Sequence, residues 1–145
     1  MSDTKVWYIT GASKGMGLSL VKELLAKGHK VAATSRSVSA FDQFPSLEDQ
    51  FLPLEVDLKS EQSIADSIRR TVEKFGELNV VVNNAGYGLG GALEELTAQE
   101  ISDNFEVNFF SVVRVIQQSL PYLRKQRSGH IINISSIAGF APGTG

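Results

Sequence analysis

Short apolar runs alternate with amphipathic segments along most of the chain. The apolar runs, rich in β-branched residues, occupy positions 6–10, 31–35, 51–56, 78–83 and 130–135. Segments with helical periodicity lie between them, at 18–27 and 64–75 among others. Strands that alternate with helices in this way predict βαβ units and a parallel sheet. The stretches 80–82 and 131–132 are apolar without alternation, as expected of central strands covered by helices on both faces.

The segment 59–75 shows the helical pattern most fully. An apolar stripe with spacings of three and four is formed by Ile64, Ile68, Val72 and Phe75. We expect this stripe to face the sheet. Ser60 is suited to cap the start of the helix, and Gly28 and Gly76 stand where the first two predicted helices should end.

A glycine-rich turn joins the first apolar run to the first helical segment, and it reads Thr10-Gly11-Ala12-Ser13-Lys14-Gly15-Met16-Gly17. We expect Gly11 to permit a tight turn, Gly15 to let the backbone approach a diphosphate, and Gly17 to let the helix pack closely on the strand. The helix N-terminus would add unpaired N–H groups and a partial positive charge. The predicted dinucleotide contacts are Gly11, Ser13, Lys14, Gly15, Met16 and Gly17. The alternative is a glycine-rich turn that binds nothing.

This loop also narrows the fold. A glycine-rich turn after the first strand favours a doubly wound α/β sheet, the Rossmann fold, with its ligand at the carboxyl ends of the strands. Right-handed crossovers then predict the strand order 3-2-1-4-5.

The end of the second apolar run bears on which dinucleotide binds, because a carboxylate there would accept the ribose 2′-hydroxyl whereas cations would accept a 2′-phosphate. The sequence reads Thr34-Ser35-Arg36, without an acidic residue. The Arg36 guanidinium and the Lys14 ammonium are both suited to a phosphate. We therefore predict that Ser35, Arg36 and Lys14 favour NADP(H); the alternative is that both cations are solvated surface charges.

Composition excludes several other functions. Hydrophobic residues make up 42% of the 145 residues and charged residues 21%, which is typical of one globular domain, and we treat residues 1–145 as a single dinucleotide-binding domain. The absence of cysteine excludes thiolate metal sites, and a net charge of −2 without a basic patch argues against nucleic-acid binding. No signal peptide or membrane segment is predicted, so we expect a cytoplasmic location.

Four further motifs accompany the glycine loop: Asp57-Leu58, Asn83-Asn84-Ala85-Gly86, Asn108, and Asn133-Ile134-Ser135-Ser136. Together with that loop they resemble the short-chain dehydrogenases/reductases over essentially the whole chain. The resemblance implies that Asp57 and Leu58 contact adenine and that Asn84, Ala85 and Gly86 belong to the cofactor site. Asp57 is also placed to cap the following helix, and the second motif is alternatively a structural turn alone.

The resemblance also implies a reaction, the transfer of a hydride between NADP(H) and a carbonyl or secondary alcohol. Ser136 would hold the substrate oxygen, with Ser135 as the alternative. Asn108, within a kinked helix, would support a proton-relaying water, and the alternative is a helix residue satisfied by backbone. A small-molecule substrate and a homo-oligomeric full-length form are the expected partners.

The family pairs its serine with a Tyr-x-x-x-Lys motif, which would fall beyond Gly145. None of Tyr8, Tyr87 and Tyr122 has a lysine four residues later. We therefore expect an incomplete N-terminal portion without the last strands, inactive alone, with its fifth strand as an uncovered edge. The alternative is a non-catalytic NADP(H)-binding module or sensor that pairs with a partner chain.

Overall fold

The computed structural model describes residues 4–44 and 47–141. Five strands occur in these ranges: β1 Val6–Ile9, β2 Lys30–Ser35, β3 Phe51–Glu55, β4 Val80–Asn83 and β5 His130–Asn133. The α-helices are α1 Gly15–Ala26, α2 Glu61–Phe75, α3 Ala98–Phe105 and α4 Ser111–Gln126. A π-helical segment, Glu106–Phe110, joins α3 to α4, and short 3₁₀ turns occupy Val38–Phe41 and Ile137–Gly139.

The strands form one parallel sheet in the order β3-β2-β1-β4-β5, so the predicted doubly wound topology is confirmed. Each strand lies within two residues of its predicted bounds. Helix α1 begins at Gly15, three residues before the predicted start. Its periodic apolar pattern begins only at Leu18, because the first turn contains two glycines that carry no side chain.

Helix α2 forms as its sequence pattern predicts. The Ser60 hydroxyl accepts a hydrogen bond from the Ser63 amide, and Gly76 ends the helix in the left-handed region at φ 84°. Ile64 and Ile68 are fully buried, and the rest of the predicted stripe is buried or packed against the same core. The N-cap prediction for Ser60 and the helix-end prediction for Gly76 are therefore both confirmed.

Apolar residues pack on both faces of the sheet. On one face, Tyr8 and Val81 lie in a cluster with residues of α2 and α4. On the other, Ile9 and Val31 pack with residues of α1, including Val21. Tyr8 and Ile9 are adjacent in β1 and point into opposite clusters, as neighbouring residues of a strand must.

Strand β5 differs from the other strands in its exposure. All four residues of β4 are buried, whereas Ile132 in β5 is 41% exposed. We predicted that helices cover both faces of the strands at 80–82 and 131–132. This prediction is correct for β4 and wrong for β5. The expectation of an uncovered fifth strand is confirmed within the described residues. No helix in that part of the chain is long and apolar enough to cross a membrane.

Candidate functional site

The candidate residues meet at the carboxyl edge of the sheet. Strand β1 pairs with β2 on one side and β4 on the other, and Ile9 stands opposite both Ala33 and Val82. The strand that follows β1 and the strand that follows β3 therefore lie on opposite sides of β1. This is the topological switch point, where doubly wound folds bind ligands. The glycine loop follows β1, Arg36 follows β2, and the Asn83–Gly86 turn follows β4.

Thr10 ties the turn after β4 to the glycine loop. Its hydroxyl oxygen accepts hydrogen bonds from the Asn84 and Ala85 amides, each at 3.1 Å, and the residue is 2% exposed. The Asn84 side chain returns the connection by donating to the carbonyls of Thr10 and Gly11, at 3.1 and 3.0 Å. The turn and the loop thus form one rigid unit. Thr10 was not among the predicted contacts, because these bonds join parts of the chain 74 and 75 residues apart and no local pattern indicates them.

Two of the loop glycines are required by neighbouring atoms. A Cβ on Gly11, which has φ 63°, would stand 2.7 Å from the Ala85 Cα. A Cβ on Gly17 would stand 2.5 Å from both the Asn84 Nδ2 and the Gly11 carbonyl oxygen. The tight turn predicted at Gly11 is therefore present. Close packing at Gly17 is also present, but its partners are the loop and Asn84 rather than the strand.

Gly15 differs from these two glycines, because a Cβ there would meet, apart from its chain neighbours and the backbone of its own helix, no atom of the described chain within 4 Å. Its φ of 55° still favours glycine, and it is the first residue of α1. The preceding Lys14 makes no side-chain cap hydrogen bond among the described residues. By contrast, α2 and α3 begin with capping side chains, those of Ser60 and Thr97. The first turn of α1 thus has no side-chain cap and leaves open space at the Gly15 Cβ position, beside a lysine, an arrangement suited to an anion.

The other predicted cofactor contacts of the glycine loop and the end of β2 lie at or near the protein surface. Met16 is exposed, as is Lys14, and Ser13 is half-buried. Arg36 is exposed just beyond the end of β2. Within residues 4–44 and 47–141, neither Arg36 nor Lys14 makes an ion pair or a side-chain hydrogen bond. Ser35 is half-buried, and its hydroxyl accepts the Ser37 amide at 3.4 Å.

Asp57 and Leu58 lie at the same edge, directly after β3. The Asp57 carboxylate accepts the Lys59 amide at 2.9 Å and so holds the turn that leads into α2. The N-cap of α2 is Ser60, so the additional capping role predicted for Asp57 is wrong. Asp57 lies three residues before the N-cap, and its carboxylate accepts the Lys59 amide rather than an amide of the helix. Leu58 is half-buried against the core cluster that contains α2.

An ion pair joins this turn to α3, because the Lys59 ammonium bonds to the Asp103 carboxylate. Their hydrogen bond raises the pKa of Lys59 and lowers the pKa of Asp103. The two side chains are 47% and 36% exposed, so solvent screens the pair and it contributes little to stability on its own. Its effect on the site is to connect the loop after β3 with the helix that follows the turn after β4.

Asn108 lies in the π-helical segment and contacts the chain just beyond the Asn83–Gly86 turn. Its side chain donates to the Tyr87 carbonyl at 2.8 Å and accepts the Tyr87 amide at 3.0 Å. Asn104 donates to the same carbonyl at 2.9 Å. The irregular helix expected around Asn108 is therefore present as a π segment. The alternative of a side chain satisfied by backbone also describes Asn108, but the backbone belongs to another element.

Ser136 lies beyond the end of β5. Its hydroxyl oxygen accepts the Ala138 amide at 3.2 Å and caps the short turn Ile137–Gly139. Asn83 donates to Asn133 at 2.8 Å, which fixes the ends of β4 and β5 side by side. Ser136 and the alternative Ser135 are both exposed at the carboxyl edge of the sheet.

A separate open groove of about 590 Å³ lies at the other edge of the sheet. It is lined by Leu120, Leu123 and Ile131, with Arg124 and Arg127 at its rim. None of the candidate residues contributes to it, and ligands of doubly wound sheets bind at the carboxyl ends of the strands. The candidate site at the glycine loop is therefore separate from this groove.

The chain is similar to known proteins in sequence and in fold. The 3-ketodihydrosphingosine reductase of Bacteroides thetaiotaomicron is 41% identical over 135 residues, which are 93% of this chain and 48% of that protein. The structure of ElxO with NADP bound is 32% identical with a TM-score of 0.87, covering 94% of this chain and 57% of that one. The 3-ketoacyl-(acyl-carrier-protein) reductase of Brucella melitensis complexed with NADH is 25% identical, with a TM-score of 0.89 over 99% of this chain and 62% of that one.

The chain spans about half the length of the curated relatives it matches. A sequence model of the short chain dehydrogenase family matches residues 5–145, nearly the whole of the chain. The match includes the glycine loop, the Asn83–Gly86 turn and the Asn108 segment described above. The chain therefore belongs to the short-chain dehydrogenase family of oxidoreductases.

Proposed function

We propose that these residues form the cofactor-binding portion of an NADP(H)-dependent oxidoreductase that interconverts a carbonyl and a secondary alcohol. The observation that carries the proposal is the open first turn of α1 at Gly15, beside Lys14. A diphosphate would be accepted there, because the first turn has no side-chain cap, carries a partial positive charge and leaves open space at the Gly15 Cβ position. The rigid connection between Thr10 and Asn84 holds this cradle in shape.

The choice of NADP(H) rests on charge at the end of β2. Arg36 is exposed just beyond β2 and Lys14 just before α1, neither has a partner in the described chain, and no carboxylate directly follows β2 that would accept a 2′-hydroxyl. One matched structure has NADP bound and another has NADH, so the preference for this chain is argued from its own cations. With the 2′-phosphate at Arg36, Asp57 and Leu58 would lie on the adenine side and Ala85 and Gly86 toward the nicotinamide.

Ser136 and Asn108 are proposed to act on the substrate side. The bound cofactor would supply or accept the hydride. Because the Ser136 oxygen already accepts the Ala138 amide, its hydroxyl hydrogen remains available to donate to a substrate oxygen, and the accepted bond strengthens that donor. Asn108 fixes the Tyr87 backbone next to the site. None of the three tyrosines is followed four residues later by lysine, so we expect these 145 residues to bind cofactor without turnover.

The wider setting is part of the same proposal. A small carbonyl or alcohol substrate is expected, because two of the similar proteins described above are reductases of keto compounds. We propose a cytoplasmic location and a homo-oligomeric full-length protein. Ile132 in β5 and Ile134 just after it are both more than 40% exposed. We expect a full-length protein to cover this apolar surface.

The test is a calorimetric titration of the chain with NADPH and with NADH, repeated for Arg36→Asp. We expect the unmodified chain to favour NADPH and the variant to favour NADH by at least about tenfold relative to it, because a guanidinium–phosphate contact is replaced by a carboxylate. Arg70→Asp is the matched control, since Arg70 is exposed on α2 away from the carboxyl edge. An Arg36→Asp variant that keeps its preference for NADPH would refute the proposed cofactor.

A further inference from the structure

The π segment between α3 and α4 has its own hydrogen-bond pattern. The Ser111 amide donates to the Glu106 carbonyl, five residues earlier, whereas a regular α-helix would direct it to Val107, four residues earlier. The Val107 carbonyl instead accepts the Ser111 hydroxyl at 2.6 Å. Ser111 is 2% exposed. Its side chain therefore supplies the bond that its amide gives up.

An ion pair spans the same segment from outside. Arg114 Nη1 lies 2.7 Å from Glu106 Oε2, and the two side chains are 25% and 31% exposed. They are better shielded than Arg69 and Glu73, an exposed pair on α2 at 51% and 59%. Glu106 is the first residue of the π segment and Arg114 lies eight residues later, in α4. The pair therefore spans the π segment, which holds one residue more than a regular α-helical turn; we call this the inserted residue.

The inserted residue determines where Asn108 points. One extra residue changes the rotation between the two parts of a helix by about 100°. Helix α4 is anchored by Val115 and Ser119, both fully buried. If the π segment became regular α-helix, α4 would stay in place and the side chain of Asn108 would turn away from Tyr87.

We propose that Ser111 and Arg114 are positioning residues, which maintain the π segment and thereby hold Asn108 against the Tyr87 backbone. Ser111 donates its hydroxyl hydrogen to the Val107 carbonyl, which the Ser111 amide does not reach. Arg114 connects α4 to Glu106 at the start of the segment. The consequence for binding rests on the proposed function. With the 2′-phosphate held at Arg36 beyond β2, the nicotinamide half lies toward β4, where Tyr87 follows the turn.

The experiment uses Ser111→Ala and Arg114→Met with two matched controls. Ser119→Ala removes the same kind of bond, since the Ser119 hydroxyl donates to the Val115 carbonyl at 2.6 Å, but within regular α-helix. Arg124→Met removes an exposed arginine near the end of α4. For each variant, NMR measures hydrogen exchange of the Asn108 side-chain amide without cofactor, and calorimetry measures the affinities for NADPH and for adenosine 2′,5′-bisphosphate, which lacks the nicotinamide half.

We expect both test variants to exchange the Asn108 amide at least about fivefold faster than their controls, the effect of losing about one net hydrogen bond. NADPH affinity should fall by a similar factor while affinity for adenosine 2′,5′-bisphosphate stays unchanged. The double variant E106R/R114E, which restores the pair with reversed charges, should recover NADPH affinity.

Two results would overturn the inference. One is Asn108 exchange in Ser111→Ala and Arg114→Met that equals exchange in the controls. The other is an equal loss of affinity for both ligands, which would indicate general destabilisation. If the unmodified chain binds neither ligand, the proposed function is wrong, and the exchange measurement alone still decides whether Ser111 and Arg114 position Asn108.

Discussion

Gly15 and Gly28 both have a positive φ, but only Gly15 lies in the proposed cofactor site. Gly15 and Gly28 have φ 55° and 80°, and apart from the adjacent backbone a Cβ on either would meet no atom of the described chain within 4 Å. Gly15 opens α1 beside the proposed diphosphate, whereas Gly28 follows the far end of the same helix. Gly15→Ala and Gly28→Ala therefore form a matched pair in which only one methyl group stands in the proposed site.

The cost to stability should be the same for both variants. Alanine in the left-handed region costs about 1–2 kcal/mol, and the less flexible unfolded chain returns about 0.4–1 kcal/mol. The net loss is therefore about 1 kcal/mol in each case. The loss of affinity should differ, because a methyl at Gly15 displaces the diphosphate and weakens charge-assisted hydrogen bonds worth about 1.5–3 kcal/mol each. This predicts an NADPH affinity at least about tenfold lower for Gly15→Ala alone.

Urea unfolding with and without NADPH measures both quantities. At an NADPH concentration about 100 times the dissociation constant of the unmodified chain, that chain and Gly28→Ala should each gain about 2.7 kcal/mol. Gly15→Ala, with a tenfold weaker site, should gain no more than about 1.4 kcal/mol. Equal gains for the two variants would refute the assignment of the diphosphate to the opening of α1.

Three further predictions concern stability. Gly17→Ala should lower the free energy of unfolding, measured in urea without ligand, by about 3 kcal/mol. The new Cβ would meet the Asn84 side-chain amide and break its hydrogen bonds to the loop. Thr10→Val should cost about 2–4 kcal/mol in the same assay, since it leaves two amides of the turn after β4 without their acceptor. The hydrogen bonds from Thr97 lower the pKa of Glu100 below its ordinary value of 4.5, so the capping box stabilises the fold above that pH and weakens as pH falls through the lowered pKa. Unfolding of Glu100→Gln followed from pH 7 to pH 2 should therefore show a deficit at neutral pH that shrinks in acid.

The sheet was predictable because its signals are local. The apolar runs match the strands within two residues, and the glycine loop together with the βαβ rhythm predicts the strand order. Ser60 and Gly76 define the ends of α2 through properties of single residues, a hydroxyl and a permissive backbone. The start of α1 was missed because two glycines in its first turn leave no side-chain pattern.

The details of the site depend on contacts between distant parts of the sequence. Thr10 accepts hydrogen bonds from amides 74 and 75 residues later, and no local pattern at Thr10 indicates them. The partner of Gly17 was likewise misassigned to the strand, because the Asn84 side chain reaches it from beyond β4. The exposure of β5 depends on which elements cover it and not on its own residues.

The central claim is that the opening amides of α1 hold a dinucleotide diphosphate. An NMR titration of the uniformly ¹⁵N-labelled chain with NADPH tests it most directly. We expect saturable shifts that are largest for the amides of Gly15, Met16 and Gly17, with smaller shifts near Arg36. A folded chain whose largest shifts fall in the groove around Leu123, or that shows no shifts at all, would contradict it.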